Sequence, residues 1–169
     1  MDCDFENTMT NLDIVVSGHL STQGNAYGIE MSDATFTAAT LSHSIFEVSG
    51  IIEGNNVYGM RMDGVFYESA TFTNVTFQTM DGSLIETSEL TGIYMSVEGD
   101  INFCGVTVNS SDSIYIDYWS PTPTPTTIFG STFQSGSSLD FPFSTYPGDV
   151  VYTTFIGQNG NEVNVSGSE

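Results

Sequence analysis

Ala34-Thr-Phe-Thr-Ala-Ala-Thr-Leu41, Ala70-Thr-Phe-Thr-Asn-Val-Thr-Phe77 and Ile101-Asn-Phe-Cys-Gly-Val-Thr-Val108 are three versions of one octet. Recurrence of a strand-like segment means stacked copies of one unit, each covering the apolar face that its neighbour cannot bury alone. The repeat extends beyond the octets. Asn11-Leu-Asp-Ile-Val-Val-Ser-Gly18 corresponds to Ser44-Ile-Phe-Glu-Val-Ser-Gly50, and more loosely to Ser83-Leu-Ile-Glu-Thr-Ser88. Tyr27-Gly-Ile-Glu-Met31 matches Tyr58-Gly-Met-Arg-Met62, with Ile93-Tyr-Met-Ser-Val97 as a weaker copy. Each unit thus carries three short strand-like runs separated by Gly, Asn, Asp and Ser turn signals. Spacings between equivalent positions differ by a few residues, as expected where loops on one edge vary while strands keep register.

Alternation assigns the faces. Ile29/Met60/Met95 and Met31/Met62/Val97 are expected inside, with Glu30/Arg61/Ser96 outside. In the octets, Phe36/Phe72/Phe103 and Leu41/Phe77/Val108 are expected as apolar ladders and Thr40/Thr76/Thr107 as a hydroxyl ladder. Coils about 4.8 Å apart place like residues on like residues. Arg61 should therefore pair with Glu30 one coil away, in an exposed bridge worth about 0–1 kcal/mol.

The expected fold is all-β: a short right-handed parallel β-helix of about three strands per coil, with a C-terminal β extension. A β-sandwich or jelly roll is the alternative, since short strands with frequent turns fit it too, although it leaves the aligned octets unexplained. Hydrophobic residues make up 39% of the chain, including 12 Phe and 8 Tyr, which suffices for a core. No window has helical periodicity. Solenoid repeats are assigned to residues 1–119 and a Pro/Thr spacer to 120–126, where Pro121-Thr-Pro-Thr-Pro125 cannot join a central ladder. A β cap or extension is assigned to 127–169. There Ile128-Phe-Gly-Ser-Thr-Phe-Gln134 and Val151-Tyr-Thr-Thr-Phe155 echo the octet as degenerate coils, a cap or a small hairpin. Asp112-Ser-Ile-Tyr-Ile-Asp-Tyr-Trp119 reads as a further strand similar to Gly92-Ile-Tyr-Met-Ser96.

A second register competes. Phe36, Leu41, Phe46 and Ile51 fall five apart, with Ala34, Ala39, Ser44 and Ser49 two places before each. Over about 20 residues this resembles the pentapeptide-repeat family, whose members form a four-sided right-handed β-helix. The pattern resumes briefly at Phe72 and Phe77 and then fails, so it is read as local mimicry at a narrow coil corner.

Charge restricts function. Twenty-one acidic residues face one cation, Arg61, for a net charge of −20. Such a surface repels itself in dilute buffer, whereas in molar salt the Debye length falls to about 3 Å. The composition resembles proteins of extreme halophiles, haloarchaea and their viruses in particular; a secreted acidic surface protein is the alternative. Nucleic acid is excluded as a partner, because nothing neutralises phosphates. No membrane span is expected, since no apolar run approaches the necessary length. No basic n-region precedes an apolar segment at the start, which suggests synthesis without a leader. Cys3 and Cys104 are too few for a disulfide framework; Cys104 reads as a small, partly buried residue, with a Cys3–Cys104 bridge left open.

Chemistry is poorly represented. Among β-helices, a lyase needs a base, and Arg61 is expected beside Glu30. A hydrolase needs clustered carboxylates, and alternation stacks Val15, Glu47 and Glu86 outward, bringing two acids together. A solvated acidic face explains that stack equally well. His19 and His43 share no ligand spacing, and Asp100, Asp112 and Asp117 lack a calcium loop. Asn74, Asn109 and Asn164 begin glycosylation triplets, a weak signal in so Ser/Thr-rich a chain. No catalytic, cofactor-binding or metal residue is assigned. The expectation is a non-enzymatic structural or interaction protein, similar in style to decoration, turret or spike proteins of haloarchaeal virions. Its partners would be copies of itself or a capsid lattice, and its place the virion. The alternatives are a glycan-binding adhesion module acting at the cell surface through exposed Tyr and Trp119, and a small carbohydrate-active enzyme.

Overall fold

Small residues and left-handed turns set the shape of the coil. Ala34, Phe36, Ala39, Leu41, Ser44 and Phe46 are all buried, and Asp33, Ala38 and His43 just before each pair have φ of 52°, 48° and 52°. A residue in the left-handed region turns the chain and uses up one position, so the inward pattern restarts every five residues. The five-residue spacing read as a local corner is thus the register that this stretch adopts. The same corners recur one coil later at Gly64, Ser69 and Asn74.

The computed structural model describes residues 4–119, 127–141 and 149–157. The described residues form sixteen strands and no helix. The first seven are β1 (Asp4–Thr10), β2 (Asp13–Val16), β3 (His19–Ser21), β4 (Asn25–Ser32), β5 (Thr35–Ser42), β6 (Ile45–Val48) and β7 (Ile51–Thr73). β8 (Thr76–Thr79), β9 (Leu84–Cys104), β10 (Thr107–Ser110) and β11 (Ile114–Trp119) follow. The last are β12 (Thr127–Phe129), β13 (Thr132–Ser135), β14 (Leu139–Asp140), β15 (Asp149–Val151) and β16 (Thr154–Ile156). The pairings between them are parallel, as a β-helix requires and a jelly roll does not. One sheet has the order β2-β6-β8-β10-β13-β16; a ten-stranded sheet built on β1-β5-β7-β9-β11-β14 makes up the rest of each coil. The long strands β7 and β9 bend through several sides, their mutual register shifting at Gly54/Asn56, Met62/Val65 and Tyr67/Ala70.

The six-stranded sheet counts the coils. Ile14, Phe46, Phe77, Val108, Phe133 and Phe155 form its apolar ladder. Contacts between successive coils along this wall span 32, 31, 25 and finally 22 residues, so the coil shortens toward the C-terminus. Six strands at about 4.8 Å give a stack about 24 Å tall. Of the forms expected after the spacer, the described residues take degenerate coils: β12 lies on β9, β13 on β10 and β16 on β13. The spacer itself, Cys3, Asn164 and the end of the chain lie outside the described residues, as does the side chain of Trp119.

The expected alignment is corrected in each of the three runs. Phe36 lies on Tyr67 and Leu41 on Phe72, five residues from the octet alignment; Phe72 on Phe103 and Phe77 on Val108 hold. Thr40 accordingly lies on Thr71, while Thr76–Thr107 continues through Thr132 to Thr154. In the second run, Met60 lies on Ile93 and Met62 on Met95, two residues from the expected partners. A shift of two keeps every side chain on its face, which is why the inward assignment of Met60, Met62 and Met95 holds. Finally, Ser83–Ser88 does not join the six-stranded sheet: Leu84 and Glu86 lie on Ile52 and Gly54.

The two walls approach each other closely along Gly28, Gly59 and Gly92. A Cβ on Gly59 would lie 2.5 Å from the Gly92 carbonyl oxygen and 2.5 Å from Thr79 Cγ2; one on Gly92 would lie 1.8 Å from Ser110 Oγ. Thr79 and Ser110 share a buried 2.6 Å hydroxyl contact at this seam, so the polar atoms there satisfy one another.

Candidate functional site

The expected Glu30–Arg61 contact is present: Arg61 Nη1 lies 3.6 Å from Glu30 Oε1, one coil away. Arg61 also pairs with Asp63 on its own strand and donates to the Tyr27 hydroxyl at 3.2 Å. Its guanidinium lies 5.4 Å from the Tyr27 ring centroid and 5.6 Å from that of Tyr58. Burial alone would lower the Arg61 pKa, but Asp63, Tyr27 and Glu30 together raise it. A cation held by two carboxylates and two rings is a structural clasp rather than a base.

Around this clasp the outward columns are aromatic. Tyr27 stacks on Tyr58 with centroids 5.4 Å apart. Tyr94, the residue registered with Arg61, stacks on Tyr115 at 5.5 Å with planes 2° apart. The likeness of Ile93-Tyr94-Met95 to Ile114-Tyr115-Ile116 was the signal for this pair, and those residues are in register. Beyond Tyr58 the column continues with Thr91. Beside Tyr58 and Thr91 lies a cleft of about 630 Å³. Tyr58, Tyr94 and Tyr115 form its aromatic rim, with Glu89 and Asp140 beside them. Thr91, Ser113 and Ser138 line it with Leu90, Ile114 and Leu139. Burial and the neighbouring Glu89 raise the Tyr58 phenol; burial, Asp63 and Asp117 raise that of Tyr94. Both stay neutral hydroxyls, able to donate and accept. Sequence reading missed Glu89 and Asp140, because the second-run slip misplaced β9 and residues 139–140 had no assigned coil.

The acid pair expected for a hydrolase is not assembled. Val15, Glu47 and Gln78 share a column, and Gln78 Nε2 donates to the Glu47 carboxylate, whereas Glu86 lies on Gly54. His19 Nε2 sits 3.5 Å from Glu53 and His43 Nε2 3.4 Å from Asn74, on separate columns. Among the described residues, no group of three His, Cys, Asp or Glu side chains is placed to hold a metal ion. Cys104 is a partly buried free thiol. No helix among the described residues is long and apolar enough to cross a membrane. Protein-family models, curated proteins and solved structures gave no match to this chain.

Proposed function

We propose that this protein is a non-enzymatic structural component of a surface assembly working in high salt: a decoration, turret or spike protein of a halophilic archaeal virion. The observation that carries the reading is a net charge of −20, with its single cation engaged by carboxylates of its own chain, on a stack only six coils tall. Repulsion of that size is screened in molar salt, so the charge suits a concentrated ionic medium. Among the described residues, the terminal strands β2 and β16 each pair on one side alone. Exposed Val15 and Leu20 lie in the first coil, and Ile156 with the 84% exposed Tyr152 in the last. Open strand edges with apolar neighbours suit attachment to another copy or to a lattice. The regular positions of the repeat are core and ladder, which favours a scaffold over an enzyme.

The test is fractionation of virus particles from a halophilic archaeal culture carrying the gene, with sedimentation of the purified protein in molar KCl. The protein should band with particles and form oligomers in that salt. A monomer at every concentration, absent from particles, overturns the reading.

A further inference from the structure

We infer that the cleft between Tyr58 and the Tyr94–Tyr115 stack binds a neutral oligosaccharide, with one pyranose ring stacked on Tyr58. The inference stands independently of the assembly proposed above. Tyr27 stacks on one face of Tyr58 and Arg61 lies against both rings; on the opposite side Tyr58 is in register with the smaller Thr91, and both line the cleft. Tyr94 and Tyr115 cover one face of each other, with planes 2° apart, and line the same cleft with their phenol groups. Glu89 and Asp140 add carboxylate acceptors.

This set matches a neutral sugar better than other small ligands. A pyranose presents an apolar C–H face to one ring and hydroxyl donors around its rim to carboxylates and phenols. An anionic sugar would need a cation, and the chain's one Arg is committed to Asp63 and Glu30. An aromatic cage for a quaternary ammonium needs several ring faces converging on one point, whereas Tyr94 and Tyr115 lie parallel, with planes 2° apart. At about 630 Å³ the cleft lies within the usual size range of ligand sites.

The experiment is titration of the intact protein in molar KCl with maltohexaose, cellohexaose, chitohexaose and mannohexaose, read by tyrosine fluorescence and saturation-transfer NMR. Polygalacturonate and choline serve as anionic and cationic comparisons. At least one neutral hexasaccharide should bind saturably at millimolar concentration or below. Tyr58→Ala and Glu89→Gln should each weaken that binding at least tenfold, and Tyr152→Ala, remote from the cleft, should leave it unchanged. Circular dichroism checks folding; should Tyr58→Ala unfold the chain, Glu89→Gln and Tyr115→Ala carry the decision. No binding of any neutral hexasaccharide, binding insensitive to the cleft variants, or preference for choline or polygalacturonate overturns the proposal.

Discussion

Asp112 sits where the chain leaves the six-stranded sheet, its backbone N–H donating to Ser110 Oγ and its carboxylate accepting from Ser111 Oγ at 3.0 Å. Burial raises its pKa above the ordinary 3.8; the Ser111 hydrogen bond opposes this, and Glu86 and Asp81 add to it. The folded chain therefore holds the proton more tightly than the unfolded one. Stability contributed by this group is complete below the unfolded pKa of about 3.8 and is lost as pH rises through the raised folded value. Asp112→Asn, which keeps an oxygen for Ser111, should stabilise the protein by about 0.5 kcal/mol or less at pH 7 in dilute buffer. That gain should vanish below about pH 3.8. Urea unfolding of both chains across pH 3–7 checks the sign; an Asn variant less stable than its parent at pH 7 contradicts it. The left-handed corner residues show a cost of another kind. Asn11, His43, Asn74, Gly105, Gly130 and Tyr152 occupy equivalent corners with positive φ. Asn and Gly tolerate that region, whereas Tyr152, at φ 50°, is strained there.

At the scale of elements, the seam between the two walls decides the cross-section of the coil. Gly28, Gly59 and Gly92 let the ten-stranded sheet approach Val48, Thr79 and Ser110 of the six-stranded one. Gly59→Ala should cost about 1–3 kcal/mol, because its methyl group meets a backbone carbonyl that cannot turn aside. Thr79→Ser removes the Cγ2 contact while keeping the hydroxyl for Ser110, so the double variant should recover part of that loss. The coupling is measured by a four-member unfolding cycle, with strict additivity as the contrary result. The Tyr-Gly pairs at 27–28 and 58–59 are plain in the sequence, but nothing local shows that the glycine faces another wall. Bends within elements were equally hidden. The strand β7 crosses register shifts at three places, each consuming residues that a straight alternation would count as strand.

For the whole molecule, charge and length set the conditions of folding. Twenty-one acidic groups and one cation mean that compaction brings like charges together, and salt relieves this more in the folded than in the extended chain. The melting temperature should therefore rise by about 10 °C or more between 0.1 M and 3 M KCl, an increase that a ΔΔG of a few kcal/mol produces in a domain of this size. Scanning calorimetry across that range checks it, and a flat or falling trend contradicts it. Much of this was legible from composition and pattern. Alternation within a strand is local, so the inward Met and Phe positions, the Glu30–Arg61 neighbours and the parallel repeat could be read directly. Which coil lies beside which could not. A slip of two residues in β9, or of five across one corner at Phe36, leaves every side chain on its proper face and hence looks equally good in one dimension. The shortening of the coil from 32 to 22 residues hid the later turns for the same reason. Strand type, the stacking of copies and the acidic surface follow from one dimension, because these depend on neighbours along the chain and on totals. The register, the glycine seam and the tyrosine cleft emerge in three dimensions, because these depend on how far the chain travels before returning to the same wall.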